Sequence, residues 1–386
     1  RIISMILSYF YTVKKKVIVS VINDLSSDQR VNRTCETLSE LGFEVLLVGR
    51  ELKTSLPLKS RNYQIHRMKL FFHKGAFFYA EYNIRLFLFL LFQRFQILHS
   101  NDLDTLLANY LVQKIKGGEL VYDSHEYFTE VPELVGRKAQ KAWLFIERLI
   151  FPKLKHIFTV NESISNIYNK LYNKDVKIMR NVPLSNKFES SASPKIKLDL
   201  GLPSDKKVLL LQGAGINVDR GAEEMVEAMQ WIDAVFLIVG TGDVIESLKI
   251  SVLELKLSEK VFFTGRVPFE ELIGFTQLAD VGVTLDKDTN LNYKYSLPNK
   301  LFDYFQADLP VIGSNLIEVR KIIDAYGAGI ILSNNIPAEM AREISTYLKD
   351  EVLFSQSVQN VAKAKLDLVW ENEKCVLETC YQKLID

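Results

Sequence analysis

The chain has 386 residues, of which 48% are hydrophobic and 25% are charged. This length and apolar content suffice for two ordinary domains, each with its own core. The formal net charge of +1 creates no overall field that would favour nucleic acid, so no nucleic-acid partner is expected.

Neither the cysteines nor the apolar runs indicate a special class of protein. Cys35, Cys375 and Cys380 show no CxxC pairing and no metal-ligand spacing, which is typical of a reducing compartment. The apolar run at 86–92 is too short to span a bilayer, so we expect a cytoplasmic protein without a transmembrane helix. Residues 1–16 place an apolar body before lysines, the reverse of a secretory signal, which leaves an artificial chain end or a membrane-touching tail as interpretations.

The first half opens with a strand, a helix and a second strand. KVIVSVI at 16–22 predicts a buried strand, and apolar residues at 3-to-4 spacing predict a helix over 28–42 that ends at Gly42. FEVLLVG at 43–49 predicts the next strand. Further strands are predicted at QILHS, ELVYDS, HIFTVN and VKIMRN, residues 96–100, 119–124, 156–161 and 176–181.

The second half repeats this order about 190 residues later. KVLLLQG at 207–213 predicts a strand, 221–230 a helix and AVFLIVG at 234–240 a second strand. Further strands are predicted at KVFFTG, DVGVTL, LPVIGS and AGIIL, residues 260–265, 280–285, 309–314 and 328–332. Two βαβ openings indicate two doubly wound α/β domains, joined by a Ser- and Pro-rich linker at 183–207.

The loops after the strands are the expected ligand-binding positions, because parallel sheets bind ligands beyond the carboxyl ends of their strands. The loop after the first strand is NDLSSDQR, and that after the strand at 207–213 is AGINVDRG. Neither contains G-x-G-x-x-G, which disfavours a plain dinucleotide dehydrogenase.

The segment SLPNKLFDYFQA, residues 296–307, predicts a phosphate-binding helix end. Pro298 suits the first helical position and Ser296 or Leu297 the cap, so free N–H groups and the positive end of the helix dipole lie at this turn. Asp303, on the polar face, can accept hydrogen bonds from two ribose hydroxyls. The alternative is a solvated ion pair between Asp303 and Lys300.

The segment YSLPNKLFDYFQADLPVIGS, residues 295–314, resembles the nucleotide-sugar motif of the family 4 retaining glycosyltransferases. The resemblance covers nearly the whole chain and includes VYDSHEYF, MRNVP, GAGINVDRG, VGTGD and FFTGRVPFEELIGFTQLADVGVTL, in that order. It implies the GT-B fold, with two Rossmann-like domains, 1–185 and 186–366, facing a cleft and a C-terminal helix at 367–386 that crosses back to the first domain.

The family pattern implies roles for several residues of the second domain. It has two glutamates with seven residues between them, and counting back from Pro310 places Asp303 at the ribose-binding glutamate and Tyr295 at the one that contacts the donor sugar. Arg220 matches the second basic residue of the pair with which the family neutralises the diphosphate. Ala214 follows Gly213 where the first arginine of that pair usually stands. The donor-binding residues implied in this way are Gly213, Gly215, Arg220, Gly240, Gly242, Arg266, Val267, Tyr295, Ser296, Leu297, Pro298, Asn299, Lys300 and Asp303.

In the first domain, His125 matches the histidine that the family places near the reacting sugar. Together with Arg220 and Asp303 it completes the predicted catalytic set. Glu126 beside it, and Asp24 and Arg30 after the first strand, are candidates for the acceptor side of the cleft.

Two other segments have competing interpretations. DKD at 286–288 resembles a D-x-D metal site, but such sites belong to another glycosyltransferase architecture, so no metal and no cofactor are expected. HKGAFFYAEYNIRLFLFLLFQRF at 73–95 is interpreted as a core helix, with contact to an anionic membrane surface as the alternative.

The resulting hypothesis is a metal-independent glycosyltransferase that moves a sugar from a nucleoside diphosphate sugar to a hydroxyl acceptor with retention. The acceptor is expected to be a bacterial surface polysaccharide, glycan or glycolipid, reached in the cytoplasm or at the inner face of the membrane. Two alternatives stay open: a nucleotide-sugar-binding partner subunit with weak or no catalysis, and a GT-B nucleotide-sugar epimerase.

Overall fold

The structure is a computed structural model that describes residues 15–185 and 200–385, apart from residues 27, 54, 56 and 59. Within these residues the chain forms two parallel β-sheets joined by helices. Most of the predicted linker, residues 186–199, and the apolar tail, residues 1–14, lie outside the described residues.

The first domain contains a seven-stranded parallel sheet in the order β3-β2-β1-β4-β5-β6-β7. Its strands are β1 (Lys16–Asp24), β2 (Glu44–Glu51), β3 (Gln64–Lys69), β4 (Ile97–Asn101), β5 (Glu119–Ser124), β6 (His156–Thr159) and β7 (Lys177–Ile178). Its helices are α1 (Gln29–Glu40), α2 (Gly75–Leu91), α3 (Leu103–Lys116), α4 (Lys138–Ile150) and α5 (Glu162–Tyr172), with short 3-10 turns at Phe128–Glu130 and Phe151–Lys153.

The second domain contains a six-stranded parallel sheet in the order β10-β9-β8-β11-β12-β13. Its strands are β8 (Val208–Gly213), β9 (Val235–Gly240), β10 (Val261–Gly265), β11 (Val281–Thr284), β12 (Val311–Gly313) and β13 (Gly329–Ile331). Its helices are α6 (Ala222–Ala228), α7 (Ile245–Glu254), α8 (Phe269–Leu278), α9 (Leu291–Lys294), α10 (Asn299–Gln306), α11 (Ile317–Tyr326), α12 (Pro337–Lys349) and α13 (Glu351–Asp367), followed by the terminal helix α14 (Trp370–Ile385).

Alternate side chains of each central strand enter apolar clusters on opposite faces of its sheet. In β1, Val17 and Val19 point into one apolar cluster and Ile18 into another on the opposite face. The strand is therefore buried on both faces, which explains its nearly continuous apolar sequence. In β8, Val208 and Leu209 divide in the same way.

One of these clusters is shared by both domains. It contains Val17 and Val19 of β1 as well as Val208 and Leu210 of β8, and Trp370, Leu377 and Tyr381 of α14 belong to it as well. The two sheets are thus joined through one continuous apolar core.

Helix α14 ties the end of the chain to the first domain by specific contacts. The indole Nε1 of Trp370 donates to Thr37 Oγ1 at 3.1 Å, and the buried Tyr381 hydroxyl lies 2.7 Å from His99 Nδ1 in β4. The predicted crossing to the first domain is confirmed. The predicted single helix is wrong in its start, because the backbone leaves the helical conformation at Leu368 (φ −96°, ψ 62°) and α14 begins at Trp370.

The predicted βαβ openings are confirmed, but the edge strand β3 was not predicted. Its sequence, QIHRMK, has only two apolar residues, which do not alternate with polar ones, and only Met68 is buried among its six residues. A strand at the sheet edge needs little apolar surface, so the pattern gives a weak signal.

No helix of the described residues is both long and apolar enough to cross a membrane.

We expect Leu377→Ala to destabilise the protein by about 2–5 kcal/mol, because Leu377 is fully buried in the shared core and its removal leaves a cavity. Leu366→Ala is the matched control, since Leu366 is 73% exposed and its loss should change the free energy of unfolding by less than about 0.5 kcal/mol. Urea unfolding followed by circular dichroism measures both. Equal stabilities of the two variants would contradict the structural role assigned to α14.

Candidate active site

His125 lies directly after β5, at the carboxyl edge of the first sheet. Its backbone N–H donates to Asp102 Oδ1 at 2.8 Å, and its ring Nδ1 lies 3.3 Å from Asp102 Oδ2. The other ring nitrogen, Nε2, lies 3.4 Å from Asp123 Oδ2 and 3.1 Å from Asn101 Oδ1. Residues at the ends of two neighbouring strands, β4 and β5, therefore hold the imidazole by both nitrogens.

These carboxylates determine the charge of His125. Burial by itself lowers the pKa of the imidazole, but Asp102 first and Asp123 second outweigh it and raise the pKa to about 9. His125 is therefore an imidazolium at neutral pH, able to donate a hydrogen bond and unable to act as a general base.

Arg30 contacts the Asp123 carboxylate that holds His125. It was predicted in the loop after β1, but it lies in the first turn of α1 and is only 2% exposed. Its Nε and Nη2 donate to the two oxygens of Asp123 at 3.0 and 2.7 Å, and its Nη1 donates to the Met179 carbonyl. Burial raises the pKa of Asp123, but Arg30 and His125 outweigh this and keep its pKa well below the ordinary value. Arg30 thus fixes the carboxylate that orients the histidine.

The two other candidates of the acceptor side stand at the same sheet edge. Asp24, at the end of β1, accepts from the Ser26 N–H and lies 3.4 Å from Arg67 Nη2. Glu126 follows His125, and burial, reinforced by the nearby Asp102, raises its pKa to about 7. Both remain predictions for acceptor binding.

On the opposite side, Arg220 is held by a buried carboxylate and an aromatic ring. Its Nη1 donates to Asp286 Oδ2 at 2.8 Å, and its guanidinium carbon lies 4.1 Å from the centre of the Tyr293 ring. Burial lowers the pKa of Arg220, but Asp286 outweighs it, so the pKa rises and the side chain stays charged. Arg220 Nε and Asp286 Oδ1 are two of several buried atoms in the described side chains that have no hydrogen-bond partner.

Gly221 explains why the arginine sits at this place. Its φ of +75° is a conformation that side chains rarely adopt, and an added Cβ would lie 2.3 Å from the Leu285 carbonyl oxygen. The chain after Arg220 therefore packs directly against the segment that ends in Asp286.

The N-terminus of α10 faces the same region. Pro298, predicted at the first helical position, is instead the N-cap, because its ψ of 132° is extended, and no side chain caps the helix. The neighbouring Ser296 Oγ is buried without a hydrogen-bond partner in the described part of the chain. Burial lowers the pKa of Lys300, as does the charge of Arg220, while Asp286 opposes them. Two cations and a helix N-terminus thus converge on one area.

Asp303 lies on α10 one turn beyond Lys300 and is partly exposed. Its helix is anchored by Tyr304, whose buried hydroxyl shares its one proton between the carbonyls of Leu210 and Val283, at 3.0 and 3.2 Å. Burial, with the charge of Arg30, lowers the pKa of Arg33 to about 10, and Asp303 is the largest of the charges that oppose this shift. Because Arg33 belongs to α1, Asp303 faces the first domain.

The predicted glycines hold two loops together. An added Cβ on Gly240 would lie 1.8 Å from the Gly213 carbonyl oxygen, and one on Gly242 would lie 1.9 Å from that of Ile216. The Cβ positions of Gly213 and Gly215 have no neighbour closer than 3.8 Å, so this backbone remains open to approach. Gly240 and Gly242 therefore allow close packing against the loop after β8, and Gly213 and Gly215 leave the backbone of that loop open to approach.

Of the remaining predicted donor-binding residues, two are exposed and two pack against the shared core. Arg266 is exposed after β10, and Val267 packs against the shared core. Leu297 also packs there, and Asn299 is exposed in the first turn of α10. Their contacts with a donor stay predictions.

Tyr295 has an unexpected environment. Its ring packs against the apolar core of the first domain, and its carbonyl accepts from Asn161 Nδ2 at 2.6 Å. In this arrangement it contacts the opposite domain, and its predicted contact with the donor sugar stays a prediction.

Helix α9 bridges the two sides through a residue that the sequence did not reveal. Asn292 donates from Nδ2 to Glu126 Oε2 at 3.1 Å, and its Oδ1 accepts from the Tyr127 N–H at 3.1 Å. The next residue, Tyr293, stacks on Arg220. Two consecutive residues therefore contact Arg220 and the residue that follows His125. Asn161, which follows β6, could have been flagged by its place at the sheet edge, whereas no pattern marks Asn292.

The carboxylates of the DKD segment both contact cationic side chains. Asp286 pairs with Arg220, and Asp288 lies 3.0 Å from Lys294 Nζ. Lys287 between them pairs with Asp219 and Glu224.

Comparison with known proteins identifies the family. The model described as Glycosyltransferase Family 4 matches residues 28–181, and the model described as Glycosyl transferases group 1 matches residues 193–365. The chain belongs to the family 4, group 1 glycosyltransferases. The two matches divide this glycosyltransferase at the predicted linker, and neither alternative to transfer is favoured by them.

Individual relatives agree with this assignment. An uncharacterised glycosyltransferase of Methanocaldococcus jannaschii is 23% identical over 257 residues, and the match spans 62% of each chain, less than two thirds of the relative's length. Sucrose-phosphate synthase of Thermosynechococcus elongatus has a TM-score of 0.80 at 15% identity, covering 96% of this glycosyltransferase and 99% of that chain. HepE of Anabaena, in complex with UDP and glucose, has a TM-score of 0.71 at 12% identity, with coverages of 96% and 99%. The GT-B fold is confirmed.

We expect Asp102→Asn to lower the pKa of His125 in this glycosyltransferase by about 1–3 units, because it removes the larger of the two favourable charges but keeps an oxygen for the His125 N–H. In the wild type, the stabilisation from the raised pKa is complete below about pH 6.5 and is lost as the pH rises through about 9. An NMR titration of the His125 ring measures the pKa, and urea unfolding at pH 6 and pH 10 measures the stability change. Asp324→Asn, on an exposed helix position, is the control. A His125 that titrates below pH 7 in the wild type would contradict the assigned charge.

Proposed function

We propose that the protein transfers a sugar from a nucleoside diphosphate sugar to an acceptor hydroxyl, with retention of the anomeric configuration and without a divalent metal. The proposal rests on two half-sites that face each other across the cleft, each with side chains already oriented by their own contacts. One holds Arg220 and Lys300 at the N-terminus of α10, and the other holds the protonated His125.

The second-domain half-site suits a diphosphate leaving group. Arg220 has a guanidinium fixed on one side by Asp286, so its remaining donors are oriented before a ligand arrives. The N–H groups of Asn299 and Lys300 stand at an uncapped helix N-terminus, which favours anions. Fixed donors of this kind stabilise the charge that develops on the departing phosphate oxygen.

Asp303 supplies the complementary recognition of the nucleoside. Its carboxylate lies one turn along α10 from the anion-binding end, and two hydroxyl groups of a ribose can donate to its two oxygens. The positions of phosphate and ribose along α10 then follow from the helix itself. The complexes of the structural neighbour HepE with UDP and with UDP-glucose support a UDP-sugar as the donor substrate.

The proposed chemical step is a substitution on one face of the sugar. The bond from the anomeric carbon to the phosphate oxygen breaks, the acceptor oxygen bonds to the same face, and the acceptor proton passes to the departing phosphate oxygen. The imidazolium of His125 contributes positive charge beside the reacting sugar, because both of its N–H groups face Asp102 and Asp123 and its raised pKa excludes a role as base. The enzyme contributes positioning and charge stabilisation.

Cationic side chains fill the role that a metal has in other glycosyltransferases. Asp286 and Asp288, the two carboxylates of the D-x-D segment, are engaged by Arg220 and Lys294. Arg220, Lys300 and the helix end are the groups proposed to offset the diphosphate charge instead.

The acceptor is proposed to be a growing surface polysaccharide or a glycolipid, reached at the cytoplasmic face of the membrane. The structural neighbour WaaG, a glycosyltransferase involved in lipopolysaccharide biosynthesis, supports this class. Its TM-score of 0.68 covers 93% of this chain, at 14% identity.

We expect Arg220→Ala to lower kcat about 10²–10³-fold, because it removes an oriented donor to the leaving group. Asp303→Ala should chiefly raise the donor KM, by tenfold or more, through loss of charge-assisted hydrogen bonds worth about 1.5–3 kcal/mol. Arg220→Lys should recover part of the rate, since it keeps the charge and loses the fork geometry. The assay follows UDP release from UDP-glucose and other UDP-sugars, with binding measured by thermal shift.

Arg320→Ala and Asp324→Ala are the matched controls, because both side chains are exposed on α11. They should leave kcat and KM unchanged. Wild-type kinetics in both Arg220→Ala and Asp303→Ala would contradict the donor site.

A further inference from the structure

Helix α2 has an apolar inward face that anchors it to the first domain. Phe78, Tyr82, Leu86 and Leu90 recur every four residues, and all four are buried in the core of that domain. This face alone accounts for the position of the helix.

The outward face of α2 is also apolar. Phe77, Ile84, Leu88 and Phe92 recur at helical spacing on this side and are 72%, 61%, 48% and 82% exposed. A helix on the surface of a globular domain normally carries polar residues there. This outward row, Phe77, Ile84, Leu88 and Phe92, is called the apolar stripe below.

An aromatic pair extends the stripe at the N-terminal end of α2. Phe71 and Phe72 are 82% and 49% exposed, yet their position is fixed. Both backbone N–H groups donate to the Glu81 carboxylate at 2.9–3.0 Å. The Phe72 ring stacks on Phe77 at 5.4 Å, and the Arg85 guanidinium lies 5.1 Å from the Phe71 ring. The exposed rings are therefore held in place before any partner arrives.

The charges around the stripe are mostly positive. Residues 69–95 contain four basic side chains, Lys69, Lys74, Arg85 and Arg94, and the single acidic residue Glu81. Glu81 is occupied internally, because it pairs with Arg85 at 2.8 Å in addition to the two N–H groups. The partner of this surface should therefore combine apolar and anionic character.

These features favour a lipid bilayer over a second copy of the chain. A twofold dimer would bring the same patch of each subunit together, so the basic residues of the two copies would face one another. An anionic bilayer offers negative headgroups to the basic residues and acyl chains to the stripe. A helix of 17 residues is about 26 Å long, enough to lie in the headgroup boundary along its whole length.

We propose that the apolar stripe of α2, with Phe71 and Phe72, docks the protein on an anionic bilayer surface. The proposal rests on the proposed function only for the location of the acceptor, and it names the surface that brings the first domain to that acceptor. It also combines the two interpretations of residues 73–95, since one face of α2 is core and the other faces the membrane.

Vesicle flotation tests the proposal with the full chain. The vesicles contain phosphatidylcholine and phosphatidylglycerol at three to one, or phosphatidylcholine alone. We expect binding to the anionic vesicles to exceed binding to the neutral ones, to weaken with added NaCl, and to fall at least fivefold in Ile84→Ser/Leu88→Ser. Lys74→Glu/Arg94→Glu, which leaves the apolar stripe intact, should also weaken anionic binding.

Leu253→Ser/Leu366→Ser is the matched control, because these leucines are 70% and 73% exposed on helices of the second domain. It should bind vesicles like the wild type. The proposal is overturned if the wild type does not float, if the stripe variant floats unchanged, or if the control falls equally. A dimer seen by light scattering without lipid and split by Ile84→Ser/Leu88→Ser would also overturn it in favour of a second copy. Because the assay needs neither donor nor acceptor, its outcome is separate from that of sugar transfer.

Discussion

The candidate site depends on one continuous apolar core that joins the two parallel sheets. Because alternate residues of β1 and β8 enter this core, both sheets turn one face towards it, and α14 closes it with Trp370, Leu377 and Tyr381. The loops at the carboxyl ends of the strands come to face one another, so that α9 of the second domain reaches the loop after β5 in the first. A cleft with functional groups on both sides is the consequence, since parallel sheets place ligands at that edge.

Buried carboxylates and a buried arginine fix the positions of the charged side chains in the cleft. Asp123 is fixed by Arg30 and in turn holds His125, while Asp286 fixes Arg220. Burying such ions is costly unless each is paired, and the pairs leave His125 and Arg220 charged and oriented. Asn292 and Tyr293 then connect the two arrangements, since one contacts Glu126 beside His125 and the other stacks on Arg220. Movement of one domain against the other must alter the contact between Asn292 and Glu126, which lies one residue from the contact between Tyr293 and Arg220.

Much of the fold and part of the site could be predicted from the sequence. Apolar runs such as those of β1 and β8 predict buried parallel strands, and the motif order located His125, Arg220 and Asp303 near the cleft. The strand β3, the break at Leu368 and the cap at Pro298 were missed because they depend on sheet position or on a single backbone angle. The contacts of Asn292, and the placement of Tyr295 against the opposite domain, join residues more than 130 positions apart and leave no local pattern.

A crystal structure of the protein with bound UDP tests the central claim most directly. The account predicts that the diphosphate contacts Arg220 and the N–H groups of Asn299 and Lys300, that both ribose hydroxyls donate to Asp303, and that the terminal phosphate faces His125. A nucleotide bound elsewhere, or one that leaves Arg220 and Asp303 without contact, would contradict it.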